Sequence, residues 1–439
     1  MTEQIKASHP MQNALANKNF RLLWVGGSVS VLGSQFTLIA LPWLVLQLTN
    51  DPGALGLVLA LAGLPRAVFM LVGGVITDRF SARKILVTCD WLNFALAGVL
   101  AALVATHSIQ LWMVYIYGLI SGLLSGFVIP AANSIAPIVL DGNDLQAGNS
   151  LNMGTNQLMG FLGPALAGVI IGSYAKSVAG IGLAFTFDSI SFAFCASLLG
   201  LMRGVDREFP AGAGQGAVRN LLDSIGAAAR YLFGQRALRL IFITMNLTNF
   251  LFTGPLLVGI PVLAKLRLAE GAAAFGMLMS AYAGGNLLGY ILAGALPKPT
   301  GRVFSLVIVV LIAAFGLALG AFGFISSTWL DFALMLALGV GNGYIGLVLI
   351  TWIQQSTPKD MLGRVMSMVM LASMGLVPLS QAAAGGISKW NLTGMFAISG
   401  VLMLLVALWL GLNPGLKILS QQMLNPVTDQ AGASGITQA

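Results

Sequence analysis

Three ionisable residues, Arg66, Asp90 and Asp188, stand inside or at the edge of long apolar runs. A charge in such a run is expensive and needs a partner or a water-filled space. Arg66 lies about thirteen residues into one run and Asp188 about ten into another, similar depths at roughly 1.5 Å rise per residue. Three readings stand open for them. They form a static ion pair; or they form a working site in which Asp188 takes up protons or Arg66 meets an anionic substrate; or Arg66 snorkels to an interface. Asp90 sits on the first two turns of its run, where the helix dipole favours an acid, with a protonation role as the alternative. Asp331, at the start of a later run, invites the dipole reading.

These residues are positioned by an unusually greasy chain. Of its 439 residues 57% are hydrophobic and only 8% charged, and its mean hydropathy is +0.89. Soluble domains carry about a quarter charged residues. About 20 apolar residues in a helix cross a bilayer with every backbone group satisfied. Runs broken by Gly, Pro and charge predict twelve spans, at roughly 20–48, 53–77, 84–105, 109–131, 145–173, 178–202, 237–264, 272–296, 302–324, 328–353, 365–388 and 391–412. The run after Phe20 is too long for a signal peptide's core and is expected to be retained as span 1. An all-α integral membrane protein follows, with the lipid bilayer as its surroundings.

The net charge of +8 is scattered over short connections, which speaks against nucleic acid. With an inner N-terminus, seventeen Lys and Arg fall on the inner side and four outside (Lys176, Lys265, Arg267 and Lys389), leaving Arg66 in the membrane. Loop Lys and Arg resist translocation, so both termini are expected in the cytoplasm. The chain divides into an N-terminal segment 1–19, a six-helix bundle 20–202, a linker 203–236, a second bundle 237–414 and a tail 415–439. Within the linker, Val218, Leu221, Leu222, Ile225, Ala229 and Leu232 share one helical face, which suits a helix on the inner membrane surface or one packed on the protein's underside.

Two weak self-similarities support duplication. Gly74, Asp78 and Arg83 are echoed by Gly294, Lys298 and Arg302, and "DLQAGNSLN" from Asp144 by "DMLGRVMSM" from Asp360. Both fall in inner loops at almost the same offset, as expected of two parallel repeats that rock about a shared site. The stripe Gly118, Gly122 and Gly126 permits close helix contact. Cys89 and Cys195 offer neither a disulfide framework nor a metal set and are read as packing residues; His9 and His107 are read as loop residues. The sequence shows no Gly-rich nucleotide loop, no metal-ligand cluster and no nucleophile triad. Enzyme activity, cofactor and metal are therefore not expected, and an ion gradient, of protons, is expected to supply the energy.

"GGVITDRFSARK", residues 73–84, resembles the loop 2–3 signature of the major facilitator superfamily. "TPKDMLGRVMSM" and "SIGAAARYLFGQRALRL" are similar to its bacterial branch of macrolide-efflux and enterobactin-exporter-like proteins. The signature departs at Ser81 and Ala82, and Lys298 replaces the second-copy acid. The resemblance implies a monomeric transporter in a bacterial plasma membrane that exports a small amphiphilic compound, drug-like or siderophore-like, by proton-coupled alternating access. Uptake or lipid translocation on the same fold, and a binding or sensing module without turnover, are the alternatives. It also implies a cytoplasmic gate of Gly74, Asp78, Arg79, Arg83 and Arg364, in which Asp78 meets the start of span 11 beside Arg364. Gly160, Gly163, Pro164 and Gly168 resemble, loosely, the Gly-Pro motif of antiporters. In spans that line the cavity of this family stand Gln35, Asn156, Gln157, Asn246, Asn249, Asn286 and Asn342. Singly each is interhelical glue. As a set with Tyr282, Tyr344 and Phe250 they would line a mostly apolar substrate pocket.

Overall fold

The structure, a computed structural model, describes residues 10–77, 80–174, 178–206, 217–297, 299–416 and 418. Those residues form α1 (Pro10–Ala16), α2 (Lys18–Thr49), α3 (Pro52–Thr77), α4 (Ala82–Ala105), α5 (Leu111–Val139), α6 (Gly142–Ser173), α7 (Ala179–Gly200), α8 (Ala217–Gly234), α9 (Arg236–Gly254), a π-helical turn (Pro255–Gly259), α10 (Ile260–Arg267), α11 (Ala272–Ala295), α12 (Gly301–Phe322), α13 (Thr328–Ser356), α14 (Lys359–Trp390) and α15 (Leu392–Leu412). No strand occurs among the described residues. Proline lies inside α2, α3, α5, α6 and α14, which membrane helices tolerate because neighbours re-satisfy the freed backbone groups.

Among the described residues eleven helical stretches are long and apolar enough to cross a membrane, one of them running from Arg236 through the π turn to Arg267. The predicted span 272–296 is the 24-residue α11. Its five glycines and Ser280, Tyr282, Asn286 and Tyr290 make it the softest of the set. The predicted span 237–264 is one helix with a bulge, and the cause is local. Pro255 has no N–H, and the Ser380 hydroxyl of α14 enters the gap, donating to Phe250 O and accepting from Gly254 N at 2.7 Å. An inserted side chain of this kind opens the ladder of i to i−4 bonds.

The two halves use the same pairings. In the first, α2 packs on α6 and α7, α3 on α5, and α4 on α7; in the second, α9 packs on α14 and α15, α11 on α13, and α12 on α15. Gly118, Gly122 and Gly126 bring α5 against Val58, Ala62 and Phe69 of α3. Gly285, Gly339 and Gly343 do the same for α11 and α13. α8 packs on α14, with Leu232 buried and Arg230 exposed, so the described part of the linker helix lies against the protein. The side chains of Val218, Leu221, Leu222 and Ile225 are not among those described.

Two seams join the halves, α3 with α14 and α6 with α11. A Cβ at Gly56 would lie 2.9 Å from Gly385 Cα, and one at Gly168 would lie 2.8 Å from Gly276 Cα. These seams are symmetry mates of one another, since Gly168 and Gly385 stand 217 residues apart and Gly56 and Gly276 stand 220 apart, close to the offsets of the sequence echoes. Contact runs from one end of the bundle to about the middle of these helices, where Gly63 meets Pro378 and Gln157 reaches Ala283. Farther along the same helices, Gly154, Gly363 and Gly375 have open space where a Cβ would be. The halves are therefore closed at the end carrying the α2–α3 and α14–α15 turns and parted at the end where residues 10 and 416 lie.

Two lysines of the second half also hold the closed end. Lys265 Nζ donates to Leu46 O at the last turn of α2 and to Asn50 Oδ1 at 2.6 Å, a cation at a helix C-terminus. Lys389 pairs with Asp51 at 2.8 Å and holds the Asp51 carboxyl below its usual range. A depressed acid contributes at neutral pH and loses its contribution as pH falls through the lowered value. The partners are exposed, so this pair is worth at most about 1 kcal/mol. Asp51→Asn with Lys265→Met is thus expected to widen the closed end by a few-fold in open population, read as the distance between labels on Tyr174→Cys and Trp390→Cys. An unchanged distance distribution would show that the glycine seams alone hold this end.

Candidate functional site

Asp188 lies in the middle of α7 and is 1% exposed. α7 packs on α2, and at their crossing Gly33 leaves room for the acid, since a Cβ there would lie 2.7 Å from Asp188 Oδ1. Thr37 Oγ1 donates to Asp188 Oδ2 at 2.5 Å. Ser191 Oγ donates to Asp188 O at 2.7 Å and reaches Oδ1 at 3.5 Å. The Tyr117 side chain of α5 stands nearby, and at the neighbouring positions Phe36 and Phe187 pair across the same two helices with ring centroids 4.5 Å apart. Hydroxyls and a phenol thus stand at the carboxylate, and among the described residues no cation is within ion-pair distance.

Arg66 is not that partner. Two ion pairs occur among the described residues, Arg83–Asp206 and Lys389–Asp51, and neither involves Arg66. Similar depth is insufficient because the two residues stand on different seams: Asp188 faces α2, whereas α3, which carries Arg66, packs on α5 and α14. Arg66 is half-buried and makes no hydrogen bond or ion pair with any described residue. It stands one turn beyond Gly63, which packs against Pro378 of α14, toward the end where the halves part.

Asp90 is 5% exposed on α4 and faces Cys195 of α7. Ser189 Oγ donates to Phe94 O at 2.8 Å and ties the same two helices. Cys89 and Cys195 are free and buried, and Cys195 packs on Gly26.

The amides separate into groups. Asn342 Nδ2 donates to Asn286 Oδ1 at 2.8 Å, and Asn286 Nδ2 to Tyr282 O at 3.0 Å, binding α13 to α11. Asn246 donates to Phe242 O of its own helix at 2.8 Å, while its Oδ1 is buried without a partner, as are the hydroxyls of Thr244 and Thr248. Asn249 accepts from Thr253 at 2.7 Å. Gln157 Nε2 crosses between the halves to Ala283 O at 2.9 Å, Gln35 packs on Gly163, and Asn156 is exposed. Tyr282 stacks near Phe252, at 5.8 Å between centroids, in the helix whose Phe250 carbonyl receives Ser380. Tyr344 lines an apolar groove of about 750 Å³ between α12 and α13, away from the α3–α14 and α6–α11 seams. The structure therefore does not gather the ten candidates into one pocket.

Of the gate residues, Asp78 and Arg79 and the surroundings of Gly74 lie outside the described residues. Arg83 stays within its own half, pairing with Asp206 at 3.0 Å and donating to Leu199 O and Gly200 O at 2.8 and 2.5 Å, the last carbonyls of α7. Ser81 caps α4 and donates to Asp206; Ser81 and then Arg83 hold the Asp206 carboxyl below its usual range. Arg364 is exposed, and its side chain reaches Met361 Sδ of its own helix at 3.9 Å. Of the Gly-Pro motif, Gly163, Pro164 and Gly168 are buried, and Pro164 and Gly168 pack on Gly276, while Gly160 meets open space. Gly33, Thr37, Ser191 and Ser380 carry site geometry that sequence reasoning missed. Small and hydroxyl residues are common in membrane helices, and nothing in the sequence marks these four.

Comparison with known proteins bears on the family and the fold. The family model of the Major Facilitator Superfamily matches residues 23–380. The chain is 26% identical over 365 residues to the uncharacterized MFS-type transporter YkuC of Bacillus subtilis (strain 168), covering 80% of this chain and 81% of that one. It is 26% identical over 351 residues to the enterobactin exporter EntS of Citrobacter koseri, covering 79% of each. It is 26% identical over 151 residues to macrolide efflux protein A of Streptococcus pyogenes, covering 34% of this chain and 37% of that one. The nucleoside transporter NupG shares the fold with a TM-score of 0.66 at 14% identity, covering 90% of this chain and 98% of that one. The bacterial Spinster homologue in its inward-facing and occupied conformation does so with 0.66 at 13%, covering 97% and 100%.

Proposed function

The chain belongs to the Major Facilitator Superfamily of membrane transporters, and from that premise we propose that it exports a small amphiphilic compound from a bacterial cytoplasm, as a monomer, in exchange for protons. The observation that carries the coupling is Asp188, a fully buried acid with hydroxyl partners and, among the described residues, no cation at ion-pair distance. Releasing and recovering its proton requires a change of access, because an isolated ionised carboxylate is costly in an apolar interior. The alternation of seams supplies that change: the halves are closed at one end and parted at the other, and rocking about the shared site exchanges the two. Both termini are cytoplasmic in this reading, so the parted end faces inward.

Arg66 supplies the substrate preference. A half-buried guanidinium without a partner, one turn from the closed seam, suits an acidic group on the transported molecule. The names of two similar proteins, an enterobactin exporter and a macrolide efflux protein, support export and supply two probes.

The test uses inverted membrane vesicles containing the protein and an imposed pH gradient, with labelled enterobactin and a labelled macrolide. Accumulation driven by a gradient acid inside the vesicle is expected, and collapse of the gradient ends it. Arg66→Ala is expected to raise the half-saturating concentration of an anionic probe roughly tenfold or more, the worth of one charge-assisted hydrogen bond. Gradient-driven movement in the opposite sense would establish uptake, and binding without flux of either probe would favour a sensing module.

A further inference from the structure

At the parted end, a pocket of about 350 Å³ opens between the first turns of α9 and the end of α15. Its rim holds Arg236, Arg239 and Asn413, and its wall holds Leu240, Ile243 and Trp409. Among the described residues no acidic side chain lines it. Arg239 uses one nitrogen on Phe233 O, at 3.2 Å, and Arg236 makes no side-chain bond to a described residue. Both arginines are exposed, Leu240 is buried and Trp409 is 40% exposed.

The pocket exists because the halves differ here. In the first half, the start of α2 and the end of α7 are stitched by Asn19, which donates to Arg203 O at 2.9 Å and accepts from Arg203 N at 3.3 Å. At the corresponding junction of α9 and α15 no such side chain bridges the helices among the described residues, and two cations stand at the opening. Arg236 begins one membrane span and Trp409 lies near the end of another, so the pocket straddles the boundary between hydrocarbon and water. Indole rings settle at that level, and basic pockets between helices bind acidic lipid headgroups.

We propose that this pocket is a binding site for an anionic phospholipid, its phosphate held by Arg236 and Arg239 and its acyl chains lying along Leu240, Ile243 and Trp409. The cationic rim and apolar wall fit that class together; a free phosphate would use the rim alone. The site is independent of the substrate and coupling ion.

The full-length protein, purified in neutral detergent, is given phosphatidylglycerol or phosphatidylcholine, and retained lipid is counted by native mass spectrometry beside thermal unfolding. Wild type is expected to prefer phosphatidylglycerol by about thirtyfold, roughly fivefold for each arginine, and to gain melting temperature from it alone. Arg236→Gln with Arg239→Gln is expected to lose the preference, and Arg302→Gln, outside the pocket, to keep it. Where the double variant fails to insert, the single Arg239→Gln is expected to lose about fivefold. Equal retention of both lipids by wild type, or an undiminished preference in the glutamine variants, would overturn the proposal. So would the same thermal gain from millimolar inorganic phosphate, which would make the pocket a free-anion site.

Discussion

Asp188→Asn is expected to reduce pH-driven flux to the level of vesicles without protein while leaving the fold intact. The reason lies in what the substitution keeps. Asparagine has nearly the same shape, and its oxygen still accepts from Thr37, which bonds Asp188 at 2.5 Å, so the α2–α7 crossing at Gly33 persists. The change in stability is expected to stay within about 1.5 kcal/mol, the net worth of one hydrogen bond. What is lost is the capacity to carry a proton. Thr37→Val separates structure from coupling, because it removes the hydroxyl and leaves the buried acid one partner short, a cost of about 1–3 kcal/mol. Wild-type accumulation by Asp188→Asn under a pH gradient would remove Asp188 from the mechanism and leave Asp90, the other buried acid of this half, as the next to test.

Gly276→Val is expected to have the largest effect on conformation. A Cβ at Gly276 would fall on Pro164 O and 2.8 Å from Gly168 Cα, backbone on both counts, so no side-chain rotation relieves it. Overpacking of this kind costs about 1–3 kcal/mol, and the cost applies only while α6 and α11 are in contact. The equilibrium should move roughly tenfold or more toward the state open at this end, lengthening the distance between labels on Tyr174→Cys and Trp390→Cys and suppressing turnover. Gly154→Val, where the structure has open space, is the matched control and is expected to leave the distance unchanged. If Gly276→Val keeps the wild-type distance, the seam is not what closes this end.

The membrane class, the helical content, the duplication and the family were all legible in the residues. The reason is that lipid permits few structures: a polar backbone in hydrocarbon must satisfy itself within the helix, so apolar run length reports the elements directly. The offsets near 217 and 220 survived because the same glycines are needed at both symmetry-related seams. Boundaries were less legible. α6 and α14 begin several residues before the predicted spans, because polar turns extend the helix past the apolar run, and the π turn at Pro255–Gly259 depends on Ser380 from a helix more than a hundred residues away.

The sequence by itself determined that Arg66 and Asp188 are expensive and must be accommodated; only the tertiary structure decided how. Depth along a helix follows from counting residues, but the direction a side chain faces depends on which neighbour its helix packs against. That is set by small residues such as Gly33, Gly63 and Gly122 meeting backbone and side chains of other helices. Hence Asp188 went to Thr37 and Ser191 and Arg66 went to the parting of the halves, while of the amides that one cavity was expected to gather, Gln157, Asn286 and Asn342 join helices and Asn246 and Asn249 bond within their own.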